Sequence, residues 1–452
     1  LHDAIRLASG FWVALILFLL YRAGREWHCN EEAPHEFAIA SVLAMAGCLG
    51  FLVHAHEAQP MLVALAGHAA AYWALALLPR KPQRAAIIFG LGLGLGFLGN
   101  GLAAMLTLLP VALIALWLAK DRTQSGSSLL LGALLGAAIA TPWPILLAAF
   151  QADYFAVWLA SELVQFGKPA NIAHTAWTYV SMVPWFAWPA LPLALWTLRS
   201  KRRMLREPAY LMPILATLAA WLTLSVTFEA RSSSALLLLP PLALLAAPGV
   251  ATLRRGAANA FDWFGMMTFS LVAALIWLGG IAMLTGEPAR LAKNFTKPAP
   301  GFVAEAAPLA LVLAVAASLV WITVMLRTPR SPWRAAARWS LGLATIWLLL
   351  VLLWLPWIDY GKTYRAVSAD FRRTLGSTPG CIARHGLGLA QRASLDYFDG
   401  IRTVAGSHAA GCRWLIVQAT PATPTLQPGW TLVKDASRPG DKSERLRLYR
   451  RE

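Results

Sequence analysis

The chain has 452 residues, of which 58% are hydrophobic and only 13% charged, with 21 tryptophans and a formal net charge of +17. A soluble globular domain does not combine so much apolar surface with so little charge. The excess of Lys and Arg does not point to nucleic acid either. Much of it sits in short loops beside apolar stretches, where it orients a membrane protein and meets lipid head groups.

A helix needs about 20 apolar residues to cross a bilayer, which predicts about twelve spans. In chain order they are residues 5–21, 37–53, 61–78, 85–98, 102–119, 129–150, 174–198, 210–227, 234–250, 263–284, 306–326 and 339–357. The fourth and fifth flank Gly99, Asn100 and Gly101, a tight turn or the tip of a re-entrant hairpin. Gly90, Gly92, Gly94 and Gly96 lie inside an apolar span with no strand before them. They read as small residues that let helices approach closely, not as a phosphate loop.

Basic residues fill every second gap: Arg80, Lys81 and Arg84; Lys120 and Arg122; Arg199, Lys201, Arg202, Arg203 and Arg206; Arg254 and Arg255; Arg327, Arg330 and Arg334. Positive loops stay cytoplasmic. The intervening loops and everything after Trp357 are therefore expected on the periplasmic side of a bacterial inner membrane. Counting back places Leu1 outside as well. With neither an initiator Met nor a signal peptide before the first span, a further helix and outer loop are expected upstream.

This divides the chain into a transmembrane domain, 1–358, and a small α/β outer domain, 359–452. The latter has helical stretches at 363–375 and 389–398 and strand-like runs at 413–418, 430–434 and 445–449. Cys29 falls in an inner loop and Cys48 within a span, while Cys381 and Cys412 fall on the oxidising side, where a disulfide is expected.

The polar residues that invite a chemical reading gather at the outer ends of spans. His54, His56 and Glu57 group at one membrane edge, with Glu57 the stronger candidate, since an acidic group there is costly unless paired or functional. The stretch 151–173 suits an amphipathic helix lying along the membrane, and its Glu162 and Lys168 are candidates for a substrate cleft. Arg231 runs against the inward preference of basic residues. A guanidinium at head-group level can clamp a phosphate bidentately; pairing with Glu229, or snorkelling to the interface, is the alternative. A further outer loop carries Arg290, Lys293, Asn294 and Lys297 and adds positive field.

Several stretches, in order along the chain, resemble motifs of one family. They are residues 4–9 with Arg6, 90–101 (GLGLGLGFLGNG), 141–143 followed by 158–166, 183–185, and 225–247 (SVTFEARSSSALLLLPPLALLAA). The family is that of the bacterial aminoarabinose transferase and protein O-mannosyltransferase type of membrane glycosyltransferase. Departures are Asn100 where that family has Lys, Leu163 where it often has His, and Ser232 to Ser234 in place of an Arg-Tyr pair.

The resemblance implies the C-type glycosyltransferase fold, an all-α polytopic bundle. It also implies single displacement of a sugar from a polyprenyl-phosphate donor to a lipid A-like lipid, glycan or protein acceptor on the periplasmic face. The general base would be an Asp in the first outer loop, expected upstream of Leu1. Arg6, Glu57, Glu162, Lys168 and Arg231 are then the substrate-binding candidates, with no cofactor expected and no metal assigned. A transporter or flippase of lipid-linked sugar, or a non-catalytic glycolipid-binding protein, is the alternative.

Overall fold

The computed structural model describes residues 2–167, 171–226, 231–377, 380–405, 409, 411–425 and 429–452, with the backbone alone for 2–6 and 164–167. The chain is a multi-pass membrane protein. Eight helices among the described residues are long and apolar enough to cross a bilayer, or nine if a bent pair counts as one span. It divides into two compact units, Leu1–Ser270 with Trp321–Ala344, and Leu271–Val320 with Thr345–Glu452.

The expectation of about twelve straight spans is corrected in two places. Residues 37–53 form two helices, Pro34–Ala46 and Leu49–Ala55, bent by 70°. Residues 174–198 belong to separate short helices, Ile172–Phe186 and Ala190–Ser200, interrupted around Pro189. Met61–Leu77 keeps the expected bounds to within one residue. Hydropathy averages over such interruptions, because Gly and Pro inside an apolar run break geometry without lowering hydrophobicity much.

The paired spans at 85–98 and 102–119 lie within one helical run, Pro82–Leu118, broken at Asn100 (φ −149°, ψ 25°) and Gly101 (φ 59°, ψ −146°). The chain doubles back there. A Cβ on Gly96 would lie 3.5 Å from that of Ala104, whereas eight residues of straight helix would separate them by about 12 Å. The second arm is tied to Met61–Leu77 by His68, whose Nε2 is 2.6 Å from the Thr107 hydroxyl while Nδ1 is 2.8 Å from the carbonyl of Ala64.

The first arm packs by its glycines, on two sides. A Cβ on Gly67 would sit 2.5 Å from the Gly92 carbonyl oxygen, and one on Gly92 would sit 2.7 Å from that of Gly67. On the other side a Cβ on Gly90 would meet the Gly132 carbonyl at 2.7 Å, and one on Gly132 the Ala86 carbonyl at 2.7 Å. Backbone lies against backbone, the close approach that small residues allow in membranes.

Loops carrying the basic residues meet at one end of this unit. Arg80 pairs with Glu26 at 2.7 Å, Trp196 donates to the Thr252 carbonyl at 3.1 Å, and the Arg254 guanidinium lies over the Trp196 ring. Deeper in the unit Asp262, 5% exposed, is held by Arg334 and Arg338, each with a nitrogen 2.9 Å from Oδ2.

In the second unit a four-stranded sheet has the order β1-β2-β4-β3, with β1 Ile382–His385, β2 Trp414–Ala419, β3 Trp430–Ala436 and β4 Arg445–Arg451. β1 runs parallel to β2, and β4 is antiparallel to both its neighbours. Strand alternation sends Ile416, Leu446 and Leu448 to a core with Phe371 and Leu395 of the helices Arg365–Leu375 and Leu389–Asp399. Leu415, Val417 and Tyr449 go to the opposite face, as a period of two requires. Glu444 knits these elements by accepting from Tyr364, Gln391, Gln418 and Arg438 at 2.6 to 3.1 Å. Cys381 and Cys412 are disulfide-bonded, their Cα atoms 4.9 Å apart.

Candidate functional site

Glu162 lies on the helix Ala152–Gly167, most of whose described side chains are exposed, yet Glu162 itself is 8% exposed. The reason is its partner. Its Oε2 accepts from the backbone N–H of Leu102 at 3.1 Å, the first residue after the hairpin turn. The start of a helix leaves N–H groups without intrahelical acceptors and carries partial positive charge, so a carboxylate fits there. Gly101 stands beside it in a backbone region reserved for glycine, and a Cβ there would collide with the Glu162 carboxylate. Glu162 thus holds the tip of the hairpin.

Glu57 follows the short helix Leu49–Ala55. Its Oε2 is 2.5 Å from Nδ1 of His54, with the carboxylate side 44% exposed and the imidazole 10%. The backbone is fixed from two directions: Ser9 donates to the Glu57 carbonyl at 3.1 Å, and Gln59 to that of His54 at 3.3 Å. A half-exposed carboxylate on a buried imidazole is able to take or orient a proton.

Arg231 precedes the helical run Ser232–Thr252, whose side chains are almost wholly buried. Arg231 is exposed and has no ion-pair partner among the described residues. The Tyr179 phenol lies close to its backbone and to the side chain of Ser234. An exposed guanidinium without a carboxylate partner among the described residues suits capture of an anion.

These three positions share one end of the first unit, opposite the basic loops. Pro60, three residues after Glu57, lies against Gly99, Gly101 against Glu162, and Thr223 donates to the Leu106 carbonyl at 3.3 Å. Trp221 donates to that of Ala176, one turn from Tyr179. No hydrogen bond or ion pair joins Glu57, Glu162 and Arg231 to one another among the described residues. Lys168 and Glu229 lie outside the described residues, as does the side chain of Arg6. Arg290, Lys293 and Asn294, on the helix Ala289–Thr296, and the adjoining Lys297 belong to the second unit. Among the described residues no group of three or more His, Cys, Asp or Glu is placed to hold a metal.

Tyr179, Ser234 and the Leu102 amide are the participants that sequence reasoning missed. Tyr179 is 52 residues from Arg231, and Leu102 is 60 from Glu162. Nothing in local pattern announces either pairing.

No protein-family model matches the chain. A crystal structure of ArnT from Cupriavidus metallidurans bound to undecaprenyl phosphate superposes with a TM-score of 0.65 at 14% identity, covering 98% of this chain and 83% of the other. The fold is that of ArnT. It is the C-type glycosyltransferase fold that the ordered motifs imply. The apo form of ArnT matches alike, with a TM-score of 0.64.

The chain is also similar in sequence to curated proteins. The undecaprenyl phosphate-alpha-4-amino-4-deoxy-L-arabinose arabinosyl transferase of Pseudomonas aeruginosa (strain UCBPP-PA14) is 32% identical over 283 residues, 59% of this chain and 46% of that protein. The protein of the same name from Aeromonas salmonicida (strain A449) is 28% identical over 302 residues, 60% of this chain and 52% of that protein. The chain spans about half the length of these relatives, and the resemblance to aminoarabinose transferases holds over that part.

Proposed function

We propose that the chain is a glycosyltransferase of the bacterial inner membrane. It would move a sugar from a polyprenyl-phosphate donor to an acceptor on the periplasmic face, a lipid A-like lipid, glycan or protein. The observation that carries this reading is Arg231, an exposed guanidinium beside Tyr179 at the end opposite the basic loops. It stands in a chain that has the ArnT fold and relatives named as arabinosyl transferases. With the basic loops inside, this end and the tail 359–452 face the periplasm.

In this reading Arg231 clamps the departing lipid phosphate, stabilising charge that grows as the glycosidic bond breaks. Glu57, poised by His54, orients sugar or acceptor hydroxyls. Glu162 acts one step back, setting the hairpin tip against which the head group lies, and Arg6 and Lys168 are the further substrate-binding candidates. The amphipathic helix Ala152–Gly167 lies along the membrane and guides the prenyl chain.

The test is sugar release from an undecaprenyl-phosphate donor by the full-length protein in membranes, with Arg231→Ala and Arg231→Lys beside the unaltered protein. Loss of a dedicated charge stabiliser lowers turnover by about 10² to 10³. Lysine, a point charge without the bidentate fork, is expected in between. Unchanged turnover and donor affinity in Arg231→Ala would remove the clamp.

A further inference from the structure

At the basic-loop end of the first unit, away from the candidate site, lies a cavity of about 670 Å³. Its walls come from the end of the helix Leu239–Thr252, the start of Arg255–Thr285 and the loop before Arg334–Lys362, so two of the basic loops meet over it. Arg255, Arg330 and Arg334 line it together with Asp262.

The charges do not cancel. Asp262 is engaged by both Arg334 and Arg338, whereas Arg255 and Arg330 pair with no carboxylate among the described residues. Among the described residues the wall therefore carries three guanidiniums, of Arg255, Arg330 and Arg334, and one carboxylate, which Arg338 also engages. Ser331, also in the wall, has a buried hydroxyl without a partner among the described residues. Such a set offers forked N–H donors and a hydroxyl to a tetrahedral oxyanion.

Val250, Ala251, Leu253 and Pro332 complete the wall. Next to Asp262 the outer face of the helix turns apolar, with Trp263 62% and Phe264 54% exposed. An aromatic belt of this kind marks the boundary between head groups and acyl chains. The cationic cavity and the apolar face thus adjoin, as a phosphate joined to hydrocarbon requires.

We propose that this cavity binds the phosphate of an anionic phospholipid, with the acyl chains lying along the exposed face that begins at Trp263. Basic cavities between membrane helices on the cytoplasmic side favour such head groups. The site is independent of the sugar-transfer reading and uses that proposal's orientation only to name the leaflet.

The experiment is native mass spectrometry of the detergent-solubilised full chain titrated with phosphatidylglycerol, phosphatidylcholine or inorganic phosphate. Arg255→Gln/Arg330→Gln is compared with Arg202→Gln/Arg203→Gln, which removes the same charge from another basic loop. Each basic residue beside an anionic head group contributes about fivefold in affinity. The cavity pair is therefore expected to lose roughly 30-fold for phosphatidylglycerol, with little change in the control pair. Equal retention of phosphatidylcholine, or equal losses in the two pairs, would overturn the site. Displacement of phosphatidylglycerol by millimolar inorganic phosphate would overturn the lipid as its occupant. A photoactivatable phosphatidylglycerol on the unaltered chain is a check independent of variant folding. Adducts within 250–263 and 330–335 support the site, and adducts elsewhere refute it.

Discussion

Gly101→Ala is the most discriminating test of the hairpin tip. Gly101 has φ 59° and ψ −146°, a conformation that costs a side-chain-bearing residue about 1 to 3 kcal/mol. The new methyl would also displace the Glu162 carboxylate from the Leu102 N–H, a charged hydrogen bond contributing about 1.5 to 3 kcal/mol. The substitution should therefore destabilise by about 3 to 5 kcal/mol. Glu162→Ala alone removes only the hydrogen bond, about 1.5 to 3 kcal/mol. Because the two single variants lose the same bond, the double variant should fall short of their sum by about that amount. The assay is unfolding in mixed micelles of the four proteins of this cycle, followed by tryptophan fluorescence. Additivity within about 0.5 kcal/mol would show that the glycine and the carboxylate act independently, and the account of the turn would fail.

Three further outcomes are expected. Asp262→Ala leaves Arg338, 7% exposed, without its buried counter-charge, and should cost about 3 to 5 kcal/mol in the same assay; Asp262→Leu/Arg338→Met should recover most of it. In the tail, burial disfavours the charge of Asp441. Hydrogen bonds from the Ser443 N–H and hydroxyl, from Arg438 and from the Glu444 N–H nevertheless hold its carboxyl well below the usual range. An unfolded Asp titrates near about 3.9. Its stabilising contribution is thus complete above that pH and lost as pH falls through the lower folded value. Limited proteolysis of the tail in acid should show this, and Asp441→Asn should flatten the response. Replacing Cys381 and Cys412 by Ser opens a loop with a sequence separation of 31 and should destabilise the tail by about 3 to 4 kcal/mol. Thiol labelling of the native chain should modify neither cysteine without reductant.

Much of this architecture is legible in sequence, for physical reasons. The hairpin shows itself because Gly99, Asn100 and Gly101 interrupt an apolar run with residues that tolerate unusual backbone angles. The helices at 363–375 and 389–398, and three of the four strands, follow from periodicity and turn residues. The strand Ile382–His385 is too short to carry an alternating signal. The bend between Ala46 and Leu49 leaves no trace in hydropathy. At the candidate site, Arg231 stands out by violating a charge rule, and Glu57 as an acidic group at the membrane edge. The function of Glu162 as a cap on Leu102, the approach of Tyr179 to Arg231 and the burial of Asp262 between two arginines all depend on partners far along the chain, which local pattern does not encode.

The glycine contacts along residues 86–99 carry a mechanical consequence. With carbonyls of three helices touching where side chains would otherwise slide, these segments have no soft layer between them and move as a single plank. Any rearrangement of the backbone must then hinge elsewhere in this unit. The segments interrupted at Gly47 and around Pro189 are the places where its backbone is already jointed, while the tip beside Glu162 stays a fixed reference against which the other parts swing.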